Sequence, residues 1–67
     1  MTSSDLATIA AELAVMAEGT DRYRDRVDAL ARRNLAEHDD LVSAIHEAER
    51  ALRVAQRALV RAQKLAA

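Results

Sequence analysis

Cysteine, proline, phenylalanine and tryptophan are all missing from this 67-residue chain, and glycine and tyrosine occur once each. Without cysteine there is no disulfide to staple a small fold and no thiol for redox chemistry. Without proline, no position forces a helix to end. With a single aromatic ring, the bulky apolar set shrinks to Leu, Val, Ile, two Met and Tyr23, although 51% of the residues count as hydrophobic. Much of that fraction is Ala, which favours helix but buries little area. A monomeric core built from it would be thin. Chains of this length need a disulfide, a metal or oligomerisation to be adequately stable. With disulfides excluded, oligomerisation is the expected answer.

Long apolar runs are also lacking. The stretch from Leu6 to Ala17 contains Glu12 and is too short to cross a bilayer. The start, Met1-Thr2-Ser3-Ser4-Asp5, has no basic leader, so no secretory signal is expected and a cytoplasmic location is the default. Neither sign of charge dominates: the net charge is −1 with 31% charged residues, which gives no overall bias toward nucleic acid or membrane. All basic residues but Lys64 are Arg, and with the abundant Ala this composition fits a high-GC, bacterial genome.

What the chain does contain is a heptad register over almost its whole length. With Leu6 at position a, the a positions run Leu6, Leu13, Thr20, Val27, Asn34, Leu41, Ala48, Ala55 and Ala62. The d positions run Ile9, Met16, Tyr23, Leu30, Glu37, Ala44, Ala51, Ala58 and Leu65. Such a repeat marks helices that bury a narrow stripe against another helix. No segment alternates with period two, so strands are not expected.

Two interruptions divide the register. Gly19 falls where a helix would end, with Thr20 able to cap a new helix and Asp21 in its first turn. Further on, Asn34 and Glu37 take seam positions and His38, Asp39 and Asp40 follow. Two arrangements satisfy these signals. In one, a short helix over about 4–18 turns at Gly19 and Thr20 onto a long helix over about 21–66 that bends at 34–40. In the other, the turn lies near Glu37 to Asp40 and separates two helices of similar length. The glycine favours the first, and that is the expected arrangement. Either way the chain is a single all-α unit over 1–67, a helical hairpin that forms an Ala-rich coiled coil or four-helix bundle by oligomerisation. Packing of Leu6, Ile9, Leu13 and Met16 against Val27 and Leu30 is expected at its N-terminal end.

Beyond residue 40 the large side chains move to position e. Leu41, Ile45, Ala48, Leu52, Ala55, Leu59 and Ala62 form a stripe spaced four, three, four, three, with bulky residues alternating with Ala. Ala at every seventh position permits close helix approach, so these seven residues are the expected interface for a homodimer, a tetramer or a partner helix. Asn34 at an a position is the candidate register-setting residue, since a polar side chain there specifies alignment at a cost in stability.

Charge is unevenly spread. Residues 1–40 carry nine carboxylates against five Arg, a balance of −4, and residues 41–67 carry five cations against two Glu, a balance of +3. Antiparallel pairing sets one against the other. Within helices, Glu18–Arg22, Asp28–Arg32 and Glu49–Arg53 are spaced for ion pairs. His46, Arg50, Arg53, Arg57, Arg61 and Lys64 line one stripe about 27 Å long, a candidate contact for nucleic-acid phosphates. It has no aromatic residue for base stacking and no known recognition motif. Anionic membrane binding is disfavoured because the opposite, Ala-rich face offers little insertion energy.

Asp39, Ser43 and His46 share a helical face and superficially spell a triad, but that face is expected in solvent, with neither pocket nor oxyanion hole. No helical metal motif, phosphate loop or nucleophile elbow is present. No catalytic residue, metal or cofactor is assigned. The expected function is a protein–protein interaction module, an adaptor, assembly subunit or regulator; the alternative is nucleic-acid binding through Arg50, Arg53, Arg57, Arg61 and Lys64.

Overall fold

A computed structural model describes residues 2–67. Two helices, α1 (Ser3–Ala31) and α2 (Asp39–Ala66), fold back on each other as an antiparallel hairpin. The molecule is a narrow rod, 54 × 13 × 11 Å along its principal axes.

Helix α1 starts at a capping box. The Asp5 amide donates to Thr2 Oγ1 at 3.2 Å, and the Thr2 amide donates back to Asp5 Oδ2 at 3.4 Å. The helix then runs unbroken for 29 residues through Gly19 and Thr20. The expected turn there does not form. Gly19 has no positive φ, and Thr20 does not cap: its hydroxyl donates to the Met16 carbonyl one turn back, at 2.7 Å. Glycine inside a helix costs only about 1 kcal/mol. Breaking there would remove Val27 and Ala31 from the face that packs on α2, which outweighs that cost.

The turn instead spans residues 32–38, within the second of the two arrangements. Arg32 and Arg33 amides close the end of α1 onto the Ala29 and Leu30 carbonyls, and the His38 amide donates to Leu35 at 2.9 Å. Asn34 lies exposed in this turn, outside both helices, so it occupies no seam position. The register-setting role expected of it has no structural basis within the hairpin. Helix α2 then begins with Asp39 and Asp40 in its first turn and has Lys64 in its last, the charge order the helix dipole favours.

The core is as thin as the composition implies. Ala17 is the only buried apolar residue among those described, at 5% exposure. Along the contact between the helices, Ile9, Leu13, Val27 and Ala31 of α1 and Val42, Ile45, Leu52 and Leu59 of α2 are half-buried. The expected packing of Leu6, Ile9, Leu13 and Met16 against Val27 and Leu30 does not form, because all six lie on the one helix α1; Ile9, Leu13 and Val27 instead face α2, whereas Leu6 (37%), Met16 (52%) and Leu30 (46%) stay exposed.

Candidate interaction surface

The face of α2 that meets α1 reads Val42, Ile45, Glu49, Leu52, Gln56, Leu59 and Gln63, all buried or half-buried. This is a stripe spaced three and four, but its alternating members are Glu and Gln. The expected interface therefore divides. Ile45, Leu52 and Leu59 point into the hairpin, with Ala62 half-buried at the edge, while Ala48 and Ala55 are exposed and Leu41 is 49% exposed. The Ala stripe does not serve the intramolecular contact.

Glu49 is the residue that the sequence reading missed. It is 8% exposed and fixes a charged cluster at mid-hairpin. Its carboxylate accepts a hydrogen bond from Arg53 one turn on and lies 3.7 Å from Arg24 Nη1 of α1. Arg24 in turn donates to Asp21 at 2.9 Å and approaches Asp25 at 3.4 Å. The Asp21 hydrogen bond, opposed by partial desolvation and reinforced by the charges of Asp21, Asp25 and Glu49, raises the Arg24 pKa further above an already high guanidinium value. Glu49–Arg53 and Asp28–Arg32 form as the spacing predicts. Glu18–Arg22 does not appear among the described ion pairs. The available signal for Glu49 was its place seven residues before Gln56 and fourteen before Gln63, between Ile45 and Leu52.

This cluster also orients the two sides of the rod. It joins the Asp21 flank of α1 to the Arg53 flank of α2. At about 100° per residue, Asp28 shares the first flank, and His46, Arg50, Arg57 and Lys64 share the second. One side of the hairpin is therefore ionic. The other carries what remains: Met16, Tyr23 and Leu30 on α1, and Leu41, Ala44, Ala48, Ala51, Ala55 and Ala58 on α2, all exposed. These are the d positions of α1 and the a and d positions of α2. The heptad seam of α2 is turned away from α1. Arg26 lies over the Tyr23 ring at 5.4 Å, and a shallow groove runs along Tyr23, Arg26, Val27 and Leu30.

The remaining candidates fall in solvent. Asp39, Ser43 and His46 are all exposed, and no group of His and carboxylate side chains among the described residues is arranged to hold a metal. Arg50, Arg53, Arg57, Arg61 and Lys64 are exposed, with Arg53 engaged by Glu49. No helix is long and apolar enough to cross a membrane among the described residues. No family model matches the chain, nor does any curated protein or solved structure.

Proposed function

We propose that this chain is a small protein–protein interaction module, of the adaptor, assembly-subunit or regulator kind, that acts by self-association through its apolar side. The observation that carries this reading is the direction of the heptad seam of α2. Leu41, Ala48 and Ala55, with Ala44, Ala51 and Ala58, repeat over the length of the helix on a side that α1 leaves uncovered. A stripe with that period stabilises nothing in water and is stabilising only against another helix. The thin core supports the same reading, since a hairpin with one buried apolar residue needs further burial to reach ordinary stability.

Sedimentation equilibrium of the pure chain is the direct test. Self-association predicts a mass of at least twice the 7.3 kDa chain at micromolar concentration. A folded monomer throughout the accessible range would remove the proposal.

A second reading draws on the ionic side. Arg50, Arg57, Arg61 and Lys64 enter no ion pair among the described residues, which leaves their charge available to phosphates. A salt-dependent gel shift on duplex DNA and on RNA tests it, with Arg57→Glu as the control. Retardation lost in that variant while the oligomer persists would make nucleic acid the ligand.

A further inference from the structure

Resting on the nucleic-acid reading above, we infer that the phosphate contact is confined to the half of the rod away from the turn, at Arg57, Arg61 and Lys64. Its ligand is the backbone of a duplex, bound without regard to sequence. The charge of the ionic side changes along the rod. After Glu49, α2 carries no carboxylate, and its only charges are Arg50, Arg53, Arg57, Arg61 and Lys64. On α1 the row of that side reads Ala7, Ala14, Asp21 and Asp28, and the row beyond it reads Ser4, Ala11, Glu18 and Asp25. Both rows pass from small neutral residues to acids as the helix approaches the turn.

Antiparallel packing decides what each cation meets. The Arg24–Glu49 contact, at 3.7 Å, sets residues 6–17 of α1 about level with residues 56–67 of α2. In the turn half, the carboxylates of the ionic side are Asp21, Asp25, Asp28 and Glu49. Arg24, Arg32, Arg50 and Arg53 match them in number, so that half is neutral. In the open half, Arg57, Arg61 and Lys64 lie across from Ala7, Ala10 and Ala14 instead. Glu12 and, at the start of the helix, Asp5 are on the opposite side of α1 from Asp21. Glu18, at the boundary, is turned about 60° further from α2 than Asp21 is. The open half is therefore cationic with no acid on its own side.

The three cations are exposed and enter no ion pair among the described residues. They follow one stripe of α2 over about 10 Å. That is the axial span of about three phosphates on one strand of a duplex. The Ala row beside them lets a strand approach without a clash. The chain's one aromatic ring, Tyr23, is on the apolar side, so nothing here stacks on an unpaired base. Lipid is a poorer match: the surface bordering the cations is Ala, half-buried Val60 and one exposed Leu65, which gives little insertion energy. Because this surface is opposite the apolar side, it remains free whether or not the chain self-associates.

The test is fluorescence anisotropy on a short labelled DNA duplex, titrated at several salt concentrations, with circular dichroism to confirm that each variant remains helical. The logarithm of the binding constant is expected to fall against the logarithm of salt with a slope of about −3 per bound chain. Arg57→Gln, Arg61→Gln and Lys64→Gln each reduce that slope by about one. Arg57→Lys, which keeps the charge, and Arg50→Gln, in the neutral half, leave it as in the wild type. A slope reduced as much by Arg50→Gln as by Arg57→Gln overturns this placement while the nucleic-acid reading stands. A wild-type chain that binds no duplex at low salt overturns both, and binding to phosphatidylserine vesicles without binding to duplex would make a membrane surface the occupant.

Discussion

Glu49 shows how much one side chain can determine in so small a fold. Its carboxylate lies between the helices, bonded by Arg53 of its own helix and faced by Arg24 of α1, where a one-turn slip of either helix would separate it from Arg24. Only Glu49 of this cluster is buried: without it Arg24 keeps Asp21 and Asp25, and the Arg53 side chain is 48% exposed, so neither cation is stranded. Glu49→Ala is expected to destabilise the hairpin by about 1–2 kcal/mol, from the lost hydrogen bond and the space left between the helices. Glu49→Leu, which fills the space with apolar surface, is expected to lie within about 1 kcal/mol of wild type. Urea titration of the two variants followed by circular dichroism checks the contrast, and equal destabilisation would mean that packing alone matters at this site. Arg24 adds no pH sensitivity near neutrality. Its pKa is raised on folding, so its contribution is complete below the guanidinium range and is lost only as pH rises through it.

At the scale of the helices, the sequence makes the hairpin legible and misplaces its turn. Absent proline, a capping box at Thr2 and Asp5 and an unbroken heptad all point to long helices, and these form. Gly19-Thr20-Asp21 has the local chemistry of a stop and restart, yet the helix continues because the burial of Val27 and Ala31 against α2 is a tertiary gain that no local signal contains. Beyond Ala31 only Leu35 is half-buried among residues 32–38, too little apolar surface to carry α1 further. Since Gly19 is helical and a methyl group added to it would meet only Arg22 Nη2, at 3.8 Å, Gly19→Ala is expected to stabilise the fold by about 1 kcal/mol. Thermal unfolding at fixed concentration measures this; a lower midpoint would indicate that the glycine serves close approach at that level of the rod.

The candidate surface was half legible for a related reason. Periodicity identifies apolar stripes but does not say which of two neighbouring stripes the chain itself covers. Ile45, Leu52 and Leu59 border both: with Glu49 and Gln56 they face α1, and with Ala48 and Ala55 they border the uncovered side. The all-apolar set describes the stripe expected to meet a partner; the stripe that meets α1 is rotated from it and includes Glu49, whose burial depends on Arg53 of its own helix and on Arg24 brought from α1.

For the whole molecule, stability and association should be one equilibrium. If the hairpin gains much of its burial from a second copy, its melting temperature depends on concentration by mass action. For a dimer of two 67-residue chains, a tenfold rise in concentration is expected to raise the midpoint by about 5 °C. Calorimetry over two decades of concentration checks this, and an invariant midpoint would place the folding transition within single chains.

The rod's dimensions have a hydrodynamic consequence. A body 54 Å long and 11 to 13 Å across experiences more friction than a sphere of its mass, so gel filtration overstates its size even as a single chain. Side-by-side pairing of two rods would double the cross-section and leave the length almost unchanged. The pair would therefore be the rounder body, with the lower frictional ratio. Elution volume would shift far less than a doubling of mass suggests, whereas the cross-sectional radius of gyration from small-angle scattering would rise clearly while the maximum dimension stayed near that of one chain.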